Sequence, residues 1–201
     1  MLEVKHLTVR SKEGRPLVRD VSFTLTPGEP LGLTGASGSG KTTIIKAVMG
    51  LLGEEGLVTR GDIWYKGENL TDMSAKELRR YLGKEIGMVF QDCKSALCPV
   101  RKIGAQIYEA VSEHEKASRY EVRNRAGEIM KKIGLNDADR VLDSYPFELS
   151  GGMNQRVGIC TAMIMRPKLL MADEPTSALD VTVQKQVVEE LLLMRKEYHT
   201  A

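Results

Sequence analysis

The spacing of apolar residues near the start of the chain is typical of strands. Leu2, Val4 and Val9 are separated by polar residues, and residues 17–25 continue as a second strand after a Gly-Arg-Pro turn at residues 14–16. The opening of the chain therefore predicts a small antiparallel β layer.

Four later segments also have the composition of strands. Residues 61–67 predict a short strand with a turn. Compact apolar runs at residues 30–34, 86–90 and 169–172 are short enough to be strands buried in the interior of the protein. Each of these three runs is followed by glycine or polar residues that suit a ligand site.

Other segments carry apolar residues at intervals of three and four, the spacing of one face of a helix. Ser74 stands three residues before Glu77, the order of a capping box, and predicts a short helix through Tyr81. The remaining helical faces comprise Ile44, Ile45, Val48, Met49 and Leu52; Ile103, Ile107 and Val111; Val122, Ala126, Ile129, Met130 and Ile133; Val157, Cys160, Thr161 and Ile164; and Val183, Val187, Leu191 and Met194.

The order of these elements predicts an α/β fold with an added helical part. Residues 92–166 are mostly helical and are expected to form a subdomain inserted into a core of residues 1–91 and 167–201. A chain of 201 residues is long enough for such an arrangement and for a sizeable apolar interior.

Composition argues against several classes of function. The chain has 29 basic and 27 acidic residues, so it lacks the positive charge expected of a protein that binds nucleic acid. Its apolar runs are too short to span a bilayer and its start does not resemble a signal peptide, so an intracellular soluble protein is expected. Cys93, Cys98 and Cys160 are expected to stay as thiols, and the histidines are too scattered to form a metal cluster.

Residues 35–42 carry the most specific chemical signal in the chain. Their sequence, Gly-Ala-Ser-Gly-Ser-Gly-Lys-Thr, fits the phosphate-binding pattern G-x-x-x-x-G-K-[ST] between a predicted strand and a predicted helix. Glycines let backbone N–H groups turn towards a phosphate, and the start of the following helix adds positive potential. Lys41 suits the outer phosphates, and the Thr42 hydroxyl suits Mg²⁺. The candidate nucleotide-binding residues here are Gly35, Ala36, Ser37, Gly38, Ser39, Gly40, Lys41, Thr42 and Thr43.

Polar residues follow two of the predicted buried strands. Gln91 comes after the run 86–90, and Asp173 and Glu174 come after the run 169–172. A side chain at the carboxyl end of a buried strand often faces a ligand site. Adjacent carboxylates in such a place can bind Mg²⁺ and polarise an attacking water.

A second position suited to an anion is predicted at Ser150, Gly151 and Gly152. These residues follow Pro146 and precede an apolar helical face, so they are expected at a helix N terminus. The N–H groups at such a terminus can bind a phosphate, although the same three residues also suit an ordinary helix cap.

Taken together, these residues resemble the ATPase subunit of ABC transporters, and the similarity covers essentially the whole chain. The resemblance implies a P-loop NTPase core with an N-terminal antiparallel β layer and an inserted α-helical subdomain. The motifs stand in the family's order: the phosphate loop at 35–42, Gln91 as the Q-loop glutamine, the signature at 149–153, Walker B at 169–174 and the D-loop at 177–180.

A subfamily resemblance narrows this further. Residues 145–153 and 173–184 are similar to the ATPases of bacterial oligopeptide, dipeptide and nickel importers. Residues 95–100 are similar to a segment whose sequence in those proteins is usually S-L-N-P, with Cys98 in place of the asparagine. Peptides and nickel both remain open as solutes.

The resemblance also implies a mechanism that two subunits share. ATP is expected to bind between two head-to-tail subunits, so that the phosphate loop of one faces Ser150, Gly151 and Gly152 of the other. Lys41 would hold the phosphates, and Asp180 would link the two ATP sites. The implied catalytic residues are Glu174 as general base, Gln91 and Lys41, and the implied Mg²⁺ ligands are Thr42, Gln91 and Asp173.

The partners follow from the same resemblance. They are a second ABC ATPase subunit, as a heterodimer or a homodimer, membrane permease subunits and, indirectly, a solute-binding protein. The permease is expected to dock at residues 92–101. The chain would then act at the cytoplasmic face of the membrane as a peripheral subunit. A soluble ABC ATPase of translation or DNA repair would have two cassettes or a long inserted coiled coil, and the sequence shows neither.

Two departures from the family pattern create further expectations. The switch histidine of the family is expected beyond Ala201, so the chain is expected to be truncated at its C terminus, and His199 is no substitute because no apolar strand precedes it. The alternative function is therefore a fragment that binds ATP but does not hydrolyse it. The aromatic residue that usually stacks on adenine is replaced by Arg10 and Ser11, where the Arg10 guanidinium could stack instead.

Overall fold

The computed structural model describes residues 1–54, 56–176 and 181–201. These residues form two compact units. None of the helices in the described ranges is both long and apolar enough to cross a membrane.

The first unit, residues 1–82 with Ala201, is built on an antiparallel sheet. The strands of this sheet are β1 (Leu2–Arg10), β2 (Pro16–Leu25), β3 (Leu57–Tyr65) and β4 (Glu68–Asn69). They lie in the order β2-β1-β3-β4, and every neighbouring pair is antiparallel. The β layer predicted at the start of the chain is therefore confirmed. The unit also contains α1 (Lys41–Val48), a 3₁₀ turn (Leu70–Asp72) and α2 (Ala75–Leu78).

A shared irregularity interrupts the three longer strands. The register of β1 shifts within residues 4–8 against both of its neighbours. At this level His6, Asp20 and Gly61 have φ angles of 51°, 50° and 91°. Gly61 suits the position because a Cβ there would lie 2.4 Å from the carbonyl oxygen of His6. As a result, the buried residues of β1 are even-numbered before the bulge and odd-numbered after it.

The second unit, residues 83–200, contains a parallel strand pair and most of the helices. The paired strands are β5 (Ile86–Val89) and β6 (Leu169–Ala172). The helices are α3 (Cys93–Ala96), α4 (Ile103–Ser112), α5 (Arg119–Lys132), α6 (Ala138–Asp143), a 3₁₀ turn (Pro146–Glu148), α7 (Gly151–Met163) and α8 (Val181–Tyr198). The boundaries expected for the helical subdomain, residues 92 and 166, stay a prediction.

The predicted apolar helix faces form the core of this unit. Every predicted position on α4 and α5 is buried, and most of those on α7 and α8 are buried as well. Thr161 and Leu191 are half-buried, while the side chain of Val183 lies outside the described part of the chain. The helical period in the sequence therefore located these elements correctly. The short helices α3 and α6 were not predicted.

The capping box predicted at Ser74 is confirmed. Ser74 N donates to Glu77 Oε2 at 2.9 Å, and Glu77 N donates to Ser74 Oγ at 3.4 Å. The helix is shorter than expected, because α2 ends at Leu78 and Arg79 is its C-cap. α1 likewise ends before Leu52, since Gly50 adopts φ 63° shortly after its last residue.

The strand predicted at residues 30–34 is not formed, and this expectation was wrong. Leu31 is 46 % exposed and Leu33 is 36 % exposed. An apolar run becomes a strand only where a neighbouring strand pairs with its backbone. None of the ladders among the described residues includes residues 30–34, so the run leads into the phosphate loop without joining a sheet.

Candidate nucleotide-binding site

The phosphate loop leads directly into α1, whose first residue is Lys41. Gly40 is the N-cap residue with φ 97°, and Gly38 has φ 76°. Both angles belong to the left-handed region that glycine adopts without strain. Gly40 has no side chain with which to cap the helix, so no capping side chain competes with a ligand for the first N–H groups of α1. This arrangement suits an anion.

The ammonium group of Lys41 turns back onto the loop. Lys41 Nζ donates hydrogen bonds to the carbonyl oxygen of Gly35 at 2.9 Å and of Ala36 at 3.0 Å. Ser39 N donates to the Ala36 carbonyl oxygen at 3.2 Å. These bonds hold a positive charge beside the amide groups of the loop, where a phosphate would need it.

Close contacts explain two of the loop glycines. A Cβ at Gly40 would lie 2.7 Å from the Leu17 carbonyl oxygen and 2.9 Å from Val18 Cγ2, so the first residues of β2 pack directly against the loop. A Cβ at Gly35 would lie 2.7 Å from Ser39 Oγ. Any other residue at either position would force these neighbours to move.

In the second unit, Gln91, Asp173 and Glu174 meet at one edge of the strand pair. β5 and β6 run in register from their first to their last residues, so their carboxyl ends coincide. Asp173 N donates to the Val89 carbonyl oxygen at 3.1 Å, which extends the ladder by one residue. Gln91 Nε2 donates to Glu174 Oε2 at 3.2 Å. The three residues therefore lie at the same end of the strand pair, where the Gln91 amide is bonded to the Glu174 carboxylate.

The two carboxylates at this strand edge differ in environment. Asp173 is 6 % exposed, whereas Glu174 is exposed to solvent. Glu174 has φ 42°, a left-handed backbone that costs a residue with a side chain about 1–3 kcal/mol.

Ser150 caps the N terminus of α7, as the sequence predicts. Ser150 has an extended backbone with φ −65° and ψ 164°, and its Oγ accepts a hydrogen bond from Met153 N at 3.3 Å. Gly151 is exposed and a Cβ there would meet nothing within 4 Å. The start of α7 is therefore open to a ligand or to a partner.

Asn154 shapes this helix start, although no sequence pattern predicted its role. Its buried Nδ2 donates to the carbonyl oxygens of Pro146, Leu149 and Ser150, at 3.0, 3.1 and 3.2 Å. One side chain thus fixes the path of the chain before the helix. The available signal was a polar residue on a helix face that is otherwise buried.

The predicted docking segment, residues 92–101, is held by side chains. Asp92 caps α3 by accepting a hydrogen bond from Ser95 N at 3.1 Å, and its bond with the Ser95 hydroxyl lowers the pKa of Asp92. Gln106 accepts from Cys98 N at 2.8 Å and donates to the Arg101 carbonyl oxygen at 2.9 Å. The segment therefore has a defined shape, while its role in docking stays a prediction.

The predicted site residues belong to different elements of the two units. Residues 35–43 share one loop and helix of the first unit. Gln91, Asp173 and Glu174 share one strand edge of the second unit, where residues 150–152 start a different element. Asp180 and the rest of the D-loop lie outside the described residues.

A phosphate loop that opens a helix, with amide and carboxylate side chains at the end of a parallel strand pair, defines a P-loop nucleotide-binding protein. Residues 18–177 match the family model described as ABC transporter. The chain belongs to the ABC transporter family, as the resemblance of its motifs indicated.

Curated relatives support this assignment. The chain is 43 % identical over 183 residues to the oligopeptide transport ATP-binding protein AmiE of Streptococcus pneumoniae, a match that covers 90 % of this chain and 52 % of AmiE. It is 42 % identical over 202 residues to the metal-staphylopine import system ATP-binding protein CntD of Staphylococcus aureus, covering 100 % of this chain and 74 % of CntD. The chain thus spans about half the length of AmiE.

A solved structure confirms the predicted fold class. The dimeric post-hydrolysis state of the ATP-binding cassette MJ0796, bound to ADP and Pi, is similar with a TM-score of 0.85 and 29 % identity. The match covers 100 % of this chain and 85 % of that one. The α/β P-loop NTPase core with an antiparallel β layer and an inserted helical part is therefore the fold of this protein.

Proposed function

We propose that this chain binds and hydrolyses ATP as a subunit of an ABC importer. The observation that carries the proposal is the phosphate loop, where left-handed glycines, the start of α1 and the Lys41 ammonium group converge on one exposed surface. Family membership supports ATP as the nucleotide.

Hydrolysis would proceed by attack of water on the terminal phosphate. Glu174 is the general base in this proposal. It is exposed to solvent just after β6, and its carboxylate would accept the proton of the attacking water. Lys41 would leave its two loop carbonyls and bind the outer phosphates, where it stabilises the charge of the transition state. Gln91 would position the water or the metal.

Mg²⁺ is the cofactor that we propose. Thr42, Gln91 and Asp173 would supply hydroxyl, amide and carboxylate oxygen atoms, which are the ligands that Mg²⁺ prefers. Among the described residues no group of three His, Cys, Asp or Glu side chains could hold a metal. The metal would be bound together with nucleotide phosphates, whose charge it would neutralise.

The active form would contain two ATPase subunits, alike or different. The open N terminus of α7 at Ser150, Gly151 and Gly152 supports this, because its N–H groups can bind a phosphate presented by another subunit. The similar cassette MJ0796 is described as a dimer bound to ADP and Pi. Asp180 would link the two ATP sites.

The importer would carry peptides or a metal. AmiE is an oligopeptide transport protein and CntD belongs to a metal-staphylopine import system, and the two are nearly equally identical to this chain. Nickel is one case of the metal class. Permease subunits would dock at residues 92–101 from the membrane, so the chain would be peripheral at its cytoplasmic face, and a solute-binding protein would deliver the solute.

The first experiment measures ATP binding and phosphate release by the unmodified chain, Lys41→Ala and Glu174→Gln. Lys41→Ala is expected to weaken ATP binding by about 10- to 100-fold, because a charge-assisted hydrogen bond is lost. Glu174→Gln is expected to keep ATP binding and to lower turnover by about 100- to 10,000-fold, because the general base is lost. Lys46→Ala, in the last turn of the same helix, is the matched control and should change neither quantity.

Two results would contradict the proposal. If Lys41→Ala binds ATP as well as the unmodified chain, the phosphate loop is not the nucleotide site. If Glu174→Gln keeps full turnover, Glu174 is not the base. Binding without turnover in the unmodified chain would instead favour the binding-only alternative.

A further inference from the structure

Arg156 and Glu190 form an ion pair that the proposed ATP chemistry does not use. Arg156 Nε donates to Glu190 Oε1 at 2.9 Å, and Arg156 Nη2 donates to Gln186 Oε1 at 3.0 Å. Arg156 lies on α7, whereas its two acceptors lie four residues apart on α8. One planar guanidinium therefore bridges successive turns of the neighbouring helix.

This pair is unusually buried. The side chains of Arg156 and Glu190 are 17 % and 12 % exposed, compared with 36 % and 59 % for the Arg123–Asp143 pair of the same unit. Burial raises the pKa of Glu190, and the Arg156 hydrogen bond opposes that rise. Glu190 Oε2 finds no hydrogen-bond partner within the described ranges.

Stability alone does not explain a charge in this place. The apolar residues around this level of the two helices are fully buried, namely Val187 and Met194 on α8 and Val157 on α7. Glu190 therefore lies beside an apolar interface between the helices. An apolar residue at position 190 would avoid the cost of removing a carboxylate from water, and such replacements are often neutral or stabilising. Apolar side chains can repack in more than one arrangement, whereas the forked guanidinium reaches Glu190 and Gln186 together in one register of α7 against α8. The pair therefore contributes orientation.

Both helices lead to segments of the proposed ATP site. Arg156 lies in the second turn of α7, about 9 Å along the helix from its cap at Ser150. α8 begins at Val181, directly after residues 177–180, to which the resemblance assigns the D-loop. The ion pair thus connects the helix that follows the signature to the helix that follows the D-loop.

We propose that Arg156, Glu190 and Gln186 are positioning residues that fix the start of α7 relative to α8 during the ATP cycle. The inference rests on the proposed function, because only ATP bound at the start of α7 would make this orientation matter for turnover. None of the three residues is expected to touch ATP.

The test compares Arg156→Lys, which keeps the charge but loses the fork, with Glu190→Gln, which keeps the shape but loses the charge. Both variants are expected to keep the KM for ATP within about twofold and to lower kcat by about 10- to 100-fold, as misplacement of a catalytic group does. The kcat of the double variant should be no lower than that of the slower single variant, because the two substitutions break the same interaction. Asp143→Asn, which breaks the exposed pair with Arg123, is the matched control and should leave kcat unchanged.

A second measurement does not depend on turnover. Amide hydrogen exchange of residues 153–160, without nucleotide, should be about tenfold faster in Glu190→Gln than in the unmodified chain or in Asp143→Asn. Unchanged exchange, or losses of kcat that multiply in the double variant, would overturn the inference. Hydrogen exchange could be faster in Glu190→Gln even though the unmodified chain does not hydrolyse ATP. That result would overturn the proposed function and, with it, the role of the Arg156–Glu190 ion pair in turnover.

Discussion

At the scale of single residues, the phosphate loop depends on glycine for two different reasons. Gly38 has φ 76°, and a Cβ there would meet nothing within 4 Å. Gly40 has φ 97°, and a Cβ there would collide with the Leu17 carbonyl oxygen at 2.7 Å. A side chain at position 38 is therefore disfavoured by backbone strain alone, whereas one at position 40 is disfavoured both by strain and by the collision.

This difference can be measured. Gly38→Ala is expected to lower the free energy of unfolding by about 1–3 kcal/mol, the cost of a left-handed residue with a side chain. Gly40→Ala should lower it further, because the Leu17 carbonyl cannot move without disturbing β2. Urea unfolding of both variants at neutral pH tests the order. Equal losses would show that the loop shifts to accommodate the methyl group.

Residue identity was sufficient to predict the parts of the site that are local in sequence. The pattern of residues 35–42 carries its own spacing, so the loop and the start of α1 were predictable. The bond from Gln91 to Glu174 joins residues 83 positions apart, and only the pairing of β5 with β6 creates it. Asn154 was missed for a different reason: its partners are only four to eight residues away, but they are backbone carbonyl groups, which leave no mark in the residue types.

At the scale of elements, the periodic pattern predicted the long helices reliably, whereas an apolar run alone did not determine whether a strand forms. α4 and α5 bury the faces that their sequences predict, since a helix forms its backbone hydrogen bonds within itself. The run at residues 30–34 has the composition of a strand but no ladder among the described residues. Composition cannot state whether a neighbouring strand is present, and this is why that prediction failed.

The capping box of α5 leads to a prediction about pH. Glu121 accepts a hydrogen bond from Ser118 N at 2.7 Å, and this bond, followed by that from the Ser118 hydroxyl, lowers the pKa of Glu121 below 4.5. A lowered pKa means that the carboxylate stabilises the folded state above pH 4.5 and that this contribution is lost as the pH falls through the folded pKa. Glu121→Gln should therefore be less stable at neutral pH and decline less steeply in acid.

The measurement is the free energy of unfolding from neutral pH down to the acid limit of the folded protein. Glu128→Gln, on the same helix but outside the capping box, provides the comparison. A Glu121→Gln curve parallel to that of the unmodified chain across the whole range would contradict the prediction.

At the scale of the whole molecule, the reactivity of the three cysteines can distinguish the folded protein from the unfolded one. Cys98 is half-buried, whereas Cys93 and Cys160 are buried. Burial raises the pKa of Cys93 to about 11 and that of Cys160 to about 12, so both remain protonated at pH values where an ordinary thiol begins to ionise.

Alkylation by iodoacetamide at mildly alkaline pH should therefore proceed in two phases. Cys98 is expected to react first, and Cys93 and Cys160 should react only as the protein unfolds, because the thiolate is the reacting form and both sulfur atoms are enclosed. Mass spectrometry of digested samples over time separates the three sites. Simultaneous modification of all three cysteines in the native protein would show that their surroundings open without unfolding.

The row of left-handed residues across the β layer has a consequence for the fidelity of folding. Buried positions on β1 change from even to odd numbers at His6, so they match their neighbours in a single alignment of the strands. A slip by two residues leaves the buried face of a regular strand unchanged. Here the same slip would carry the bulge of β1 past Gly61 and turn polar side chains into the interior next to it. Gly61 leaves room for the His6 carbonyl because it has no Cβ. In a shifted strand another residue would stand opposite His6, and its Cβ would collide with that carbonyl. The bulge therefore excludes misaligned sheets that a regular alternation would leave nearly as favourable as the native one.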